Sequence, residues 1–176
     1  RDSSVTGVQT CALTIFLELK KILKTKAAFT NSIKIVLIGD TATQFLATAI
    51  KGMGVVRGYS IDLLETEYNQ VERQFMDPAS ELYEFDADII VVFQSTHKLG
   101  EYHSMLAVDQ QLTLADDRLE FVASICENPA LASKKIIYFN YPEIEDTVFG
   151  SYANKVISSL SYQVRKLNYE LMHLSQ

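Results

Sequence analysis

The sequence predicts a single α/β domain of the doubly wound kind, a parallel sheet covered by helices on both faces. Three observations lead there. Four short apolar runs, at 33–38, 59–64, 88–93 and 135–139, are too brief for helices. Between them lie segments whose apolar residues recur at three and four, the helical period. Polar residues follow the first, third and fourth runs, at the edge where sheets of this kind bind ligands. Strands alternating with helices imply right-handed crossovers and parallel pairing. The expected arrangement is three-layer α/β/α with strand order 2-1-3-4 and a switch point between the first and third strands.

Composition narrows the function classes. At 176 residues the chain can bury one core without disulfide or metal staples. Apolar residues at 48% and charged residues at 22% are an ordinary globular balance. A net charge of −6 argues against nucleic acid as a partner, since meeting phosphate needs a basic field. No apolar run reaches the ~18–20 residues that cross a bilayer, so no membrane partner is expected. Cys11 and Cys126 have neither a disulfide framework nor metal-ligand spacing, which points to a reducing, cytoplasmic setting.

Arg1–Thr14 (RDSSVTGVQTCALT) lacks a starting Met, a clear period and most charge, and it resembles translated sequencing-adapter text. Residues 1–15 are therefore expected to be a non-native or disordered head, with 16–176 as the domain. Phe16–Ala28 predicts a helix with Leu19, Ile22 and Leu23 on one face, and Lys20, Lys21, Lys24 and Lys26 around it. That pattern suits a packed helix with a solvated lysine face, and also a basic helix lying on a membrane.

Ile33–Ile38 (IKIVLI) reads as a buried strand ending at Gly39. Thr41 and Gln44 have capping-box spacing. Phe45, Leu46, Ala49, Ile50 and Met53 form the expected buried face of the next helix, which Gly52 and Gly54 close. Tyr59–Leu64 is the second strand, and the helix after it turns Tyr68, Val71 and Phe75 inward. Asp77-Pro78 offers a cap and a first-turn proline for a further turn through Tyr83. Asp88–Phe93 (DIIVVF) is the third strand. A helical region over 101–127 follows, with Leu112, Ala115, Leu119, Val122 and Cys126 at three-and-four spacing, and Asn128-Pro129 punctuates it.

Lys135–Phe139 (KIIYF) is the fourth strand, followed by a polar loop over 140–147. Eight apolar residues from Phe149 to Leu174 then form one continuous stripe, predicting a single helix over 148–174. Another parallel strand normally follows such a crossover helix. With that following strand missing from the sequence, the fourth strand is expected to stand as an exposed edge.

Three polar clusters map to the ligand edge: Gly39-Asp40-Thr41, Gln94-Ser95-Thr96-His97 and Asn140. Thr41 sits at a strand-to-helix turn, where it can cap the helix or act as a nucleophile if a base takes its proton. Asp40 can orient a ligand or satisfy loop amides. Ser95 and Thr96 can hold an anion or cap the next helix. His97 is the candidate base at this edge, or a surface histidine. Asn140 can present an amide to an oxyanion, or simply form the turn before Tyr141-Pro142. His103 and His173 have no partner at ligand spacing, so no metal site is expected. Gly39-Asp40-Thr41 matches neither the dinucleotide fingerprint nor the P-loop.

Five blocks carry a family resemblance: Lys34–Leu46 (KIVLIGDTATQFL), Pro78–Phe85 (PASELYEF), Ser95–Leu99 (STHKL), Asn140–Lys155 (NYPEIEDTVFGSYANK) and Leu167–Leu171 (LNYEL). In this order they resemble the N-terminal domain of FkbH-like proteins, in subfamily IIIC of the haloacid-dehalogenase superfamily. The resemblance implies an SGNH-hydrolase-like α/β domain over residues 16–176, joined in cis to a downstream catalytic domain of that superfamily. The full proteins are associated with loading a glyceryl unit from a phosphorylated three-carbon donor onto an acyl carrier protein. Their catalytic half binds magnesium through a DxDxT-type motif that does not occur here, so the chain is expected to be a front half that needs no cofactor of its own.

By the same resemblance, Gly39-Asp40-Thr41 stands where SGNH hydrolases have Gly-Asp-Ser, placing Thr41 at the nucleophile position and Asn140 at the oxyanion position. The Gly-x-Asn-Asp context and the Asp-x-x-His block of those hydrolases do not occur. Two functions from different classes follow. One is an accessory domain that positions substrate or carrier through Gly39, Asp40, Ser95, Thr96 and Asn140. The other is an SGNH-type esterase or acyltransferase with Thr41 as nucleophile and His97 as base. A plain interaction module, with the final helix as its contact, is a third.

Overall fold

The structure, a computed structural model, describes residues 3–24, 29 and 31–176, with side chains from residue 13 onward. Strands β1 (Asn31–Gly39), β2 (Tyr59–Glu65), β3 (Ile89–Phe93) and β4 (Lys135–Tyr138) form one parallel sheet in the order β2-β1-β3-β4, flanked by helices. Strand positions and order agree with the sequence. Each strand is an apolar run bounded by turn residues, and each crossover has room for a helix. The chain divides into two compact units, residues 1–91 and 92–176.

In the first unit β1 and β2 pair in register from Asn31 opposite Tyr59 to Leu37 opposite Glu65. Val36, Leu37 and Ile38 are 0% exposed, and burying each such side chain stabilises by about 1.5–3 kcal/mol. Ile35, Leu37, Ala47 and Val91 form a core against which Leu46, Ile50, Ile61 and Leu63 pack. Helix α1 (Ser3–Ile22) opens earlier than the expected start at Phe16 and runs through most of the 1–15 segment. Leu19 is buried and Lys20, Lys21 and Lys24 are exposed, as the periodicity required. Lys26 and the expected helix end at Ala28 lie outside the described residues.

Helix α2 (Gln44–Val56) departs from expectation in its cap, its face and its end. Its N-cap is Thr43, so the Thr41/Gln44 box does not form; Thr41 lies in the bend before the helix. Ala47 lies at the centre of the buried face, whereas Phe45 and Met53 are exposed and the Phe45 ring packs on Phe16 at 4.7 Å. Gly52 and Gly54 are interior, not closing, residues. A Cβ at Gly52 would meet Leu19 Cβ at 2.8 Å, and one at Gly54 would collide with Ile61, so both glycines permit close approach. The helix ends at Val56 with Arg57 as its cap, and the chain turns away at Gly58, whose φ of +80° only glycine adopts without strain.

Helix α3 (Val71–Met76) buries Val71 and Phe75, but Tyr68 precedes it and is exposed. Asp77 accepts from the Ala79 N–H at 3.0 Å, making a turn and not a helix cap, and α4 (Glu81–Phe85) begins only after Ser80.

In the second unit, α5 (Thr96–Met105), α6 (Val108–Gln111) and α7 (Leu114–Cys126) replace the one helical region expected over 101–127. The breaks are stabilised by side chains that satisfy the carbonyls released there. Gln111 Nε2 donates to the His103 and Leu106 carbonyls at 3.1 and 3.2 Å, and Gln163 Nε2 to the Leu112 carbonyl at 3.1 Å. Buried positions shift accordingly: Leu114 and Ile125 lie inside, Leu112 and Cys126 outside. Asn128 accepts from the Ala130 N–H and opens the short 3-10 turn Pro129–Leu131, as its Asn-Pro pair signals.

The single helix over 148–174 is also divided, into a 3-10 turn at Gly150–Lys155 and α8 (Leu160–Leu174). Buried Ser159 makes the interruption: its hydroxyl donates to the Ala153 carbonyl at 2.6 Å and accepts from the Tyr162 N–H at 3.1 Å, capping α8. A 3-10 turn keeps nearly the helical spacing, so the stripe runs through it in sequence while Phe149 and Tyr152 stay exposed. Leu99, Leu114, Ala115, Tyr141, Val164 and Leu167 form the core of this unit. β4 ends the sheet order and is alternately exposed and half-buried along its length, as an edge strand is.

Candidate functional site

The carboxyl ends of β1 and β2 are held by the loop that follows β2. The Thr66 N–H extends the ladder to the Leu37 carbonyl at 3.1 Å, and the Asn69 N–H donates to the Gly39 carbonyl at 3.0 Å. Asn69 adopts a φ of +61°, a left-handed conformation that asparagine tolerates better than most residues. Asp40 is buried and has an interaction partner. Thr41 is half-buried, and its hydroxyl has no hydrogen-bond partner among the described residues. It borders a pocket of ≈500 Å³ lined also by Gln44, Glu65, Thr66, Glu67 and Gln70. Thr66 is 7% exposed and its hydroxyl has no partner among the described residues.

At the end of β3 the polar residues have structural duties. The Ser95 hydroxyl accepts from the His97 N–H at 3.2 Å and caps α5. The Thr96 hydroxyl donates to the Pro142 carbonyl at 2.7 Å, tying the loop after β4 to the end of β3. Buried Gln94 accepts from the hydroxyls of both Tyr138 and Tyr141, the latter at 3.0 Å. Tyr141 is 2% exposed, and Asn168 on α8 clamps its backbone from both sides, accepting its N–H at 2.8 Å and donating to its carbonyl at 2.7 Å. His97 is exposed and its imidazole has no partner among the described residues. Asn140 is exposed and borders an apolar groove of ≈570 Å³ along β4, lined by Ile136, Ile137, Phe139, Leu171 and Leu174. Cys126 borders the same groove; burial first and neighbouring Glu127 second hold its thiol pKa above the ordinary value, which disfavours the thiolate.

Of the sequence-derived residues, Gly39, Asp40 and Thr41 thus lie together at one strand end in the first unit. Ser95, Thr96 and His97 open α5 in the second, and Asn140 follows β4 there. Sequence reasoning missed Thr66, Glu65, Tyr141 and Asn168. Tyr141 and Asn168 stand inside quoted family blocks, a signal that they matter without saying how. Thr66 gave none. Among the described residues no three His, Cys, Asp or Glu side chains are placed to hold a metal, and no helix is long and apolar enough to cross a membrane.

A family model described as FkbH, N-terminal domain, matches residues 34–176. Among solved structures, the chain is similar to the crystal structure of the N-terminal part of a Bacteroides fragilis protein, containing a phosphatase domain and complexed with Mg. The two share 56% identity with a TM-score of 0.86, over 92% of this chain and 42% of that one. This chain therefore spans less than half the length of that structure. No curated protein matches it. With the sheet order, the strand ends and the family match in agreement, the chain belongs to the FkbH N-terminal domain family.

Proposed function

We propose that this chain positions substrate or carrier for an FkbH-like enzyme and does not catalyse a reaction by itself. The observation that carries the reading is the Thr41 hydroxyl, which has no hydrogen-bonded base among the described residues. An alcohol at its ordinary pKa is a weak nucleophile until such a base takes its proton. Ser95 and Thr96 are occupied by a helix cap and a loop tie, which leaves Thr41, in the first unit, as a residue that can face a ligand. In this reading the partners are a downstream haloacid-dehalogenase-type domain in cis and an acyl carrier protein. The cargo is a glyceryl-type unit and the setting is cytoplasmic. Magnesium belongs to the downstream domain; no step of this chain is routed through a metal.

The place of Gly39-Asp40-Thr41 at the end of β1, with its resemblance to the Gly-Asp-Ser of SGNH hydrolases, supports a second reading, an esterase or acyltransferase with Thr41 as nucleophile. Hydrolysis of short acyl esters separates the two. Wild-type chain and Thr41→Ala are expected to give the same background rate, and to differ in stability by no more than about 0.5 kcal/mol. A Thr41-dependent rate would establish the esterase.

A further inference from the structure

β4 closes one side of the sheet, and among the described residues no strand lies outside it. The Phe139 N–H donates to the Val92 carbonyl at 3.0 Å. Peptide groups alternate along a strand, so Lys135 and Ile137 also face β3 while Ile136 turns its N–H and C=O to the outer edge. Natural edges are blunted by charges, prolines or bulges. The stretch Ile136–Phe139 has neither charge nor proline, and Ile137 and Phe139 are 41% and 38% exposed. Beside the edge runs the apolar groove of ≈570 Å³, walled by Ile136, by Val122 of α7 and by Leu171 and Leu174 of α8. Backbone bonding capacity and apolar surface thus lie together, which is what an added strand requires.

Handedness tells where the chain after α8 is directed. α7 leads into β4 and α8 leaves it, and both cover one face of the sheet. Leu114 and Ala115 of α7 share a core with Val164 and Leu167 of α8, and Tyr138 of β4 packs against it. Right-handed crossovers that keep to one face advance in one direction across a sheet. The step through α7 goes from β3 to β4, so the step through α8 leads to the far side of β4. The end of α8, at Leu171, Leu174 and its cap Ser175, already borders the groove. The similar solved structure is more than twice the length of the stretch matched here, and the family model describes an N-terminal domain. Relatives therefore have chain to place there.

We infer that the outer edge of β4 is the docking surface for the segment that follows residue 176 in the parent protein. That segment adds as a fifth parallel strand, and its apolar side chains fill the groove. The inference takes from the function proposed above only the downstream chain, and it is independent of what Thr41 does. Amide hydrogen exchange tests it on the 176-residue chain and on the protein continued by about 15 residues, one connection and one strand. The Ile136 amide should exchange about a hundredfold or more slowly in the longer protein, whereas Ile137 and Phe139 are protected in both. Ile136→Pro removes the outward N–H and leaves the bonds to β3 in place. It should lower the melting temperature of the longer protein and leave that of the 176-residue chain nearly unchanged. Protection of Ile136 that rises with concentration in the 176-residue chain would assign the edge to a second copy and overturn the inference. So would a reading frame that stops at residue 176, or indifference of the longer protein to Ile136→Pro. Should the 176-residue chain aggregate, the longer protein decides alone: an Ile136 amide exchanging there as fast as loop amides overturns the inference. None of these outcomes alters the ester-hydrolysis result at Thr41, so the two readings fail separately.

Discussion

The loop after β2 and the loop after β4 are built from the same kinds of polar residue and use them differently. Beyond β4, Tyr138, Tyr141, Thr96 and Gln94 bond to one another or to backbone, and Asn168 clamps Tyr141 from α8. Every one of these side chains has a partner within its own unit. Beyond β2, among the described residues, Thr41 and Thr66 have hydroxyls without partners, and Glu65 a carboxylate without a cation. A fully satisfied buried network fixes one conformation and has nothing left to offer a ligand. An unsatisfied one weakens the fold and keeps its bonding capacity for something else. The loop after β4 uses its polar residues for architecture, and the loop after β2 leaves some without partners among the described residues.

The contrast breaks most readily at Gln163. This side chain is 1% exposed, accepts from the Ala115 N–H at 2.9 Å and donates to the carbonyls of Leu112 and Ile157 at 3.1 and 2.7 Å. Gln163→Leu leaves one buried and two part-buried backbone groups without this partner, at about 1–3 kcal/mol for the first and about 1 for each of the others, so urea unfolding should register a loss of about 3–5 kcal/mol. A loss below about 1 kcal/mol, the ordinary value for one bond, would mean the network is not structural after all.

A smaller effect is expected at Asn168→Ala, which releases both bonds to the Tyr141 backbone. Unfolding should show about 2–3 kcal/mol, and hydrogen exchange at the Tyr141 amide should accelerate more than exchange in β1. Equal acceleration in both places would erase the distinction between the two units.

The smallest effect is electrostatic. Arg165 donates to Glu143 at 2.6 Å on the surface, and that hydrogen bond, ahead of simple charge attraction, holds the Glu143 carboxyl below its ordinary pKa while the Arg165 pKa is raised. A depressed carboxylate contributes stability that is present above its unfolded pKa of 4.5 and is lost as pH falls through the lower folded value. Glu143→Gln should therefore match wild type below that window and melt slightly lower at neutral pH, with the gap closing in high salt. A gap that persists in acid would assign Glu143 some role other than this ion pair.

The strands, their order and the family were legible from residues alone. A run such as IKIVLI has only one way to bury both faces, and a short parallel sheet with helical crossovers admits few orders. The cap signals at Asn128-Pro129 and the inward Leu19, Val71 and Phe75 were legible for the same local reason. Tertiary contacts decided the rest. Gly52 and Gly54 look like helix ends until Leu19 and Ile61 are seen against them. The stripe from Phe149 to Leu174 looks like one helix until Ser159 is found bonding across to Ala153. Thr96 and Thr66 are the same residue type beside strand ends; one found a carbonyl 46 positions away and the other found nothing. Periodicity and turn chemistry act over a few residues, so a sequence can fix them. Whether a hydroxyl meets a partner depends on chain brought from far away, and only the folded arrangement decides that.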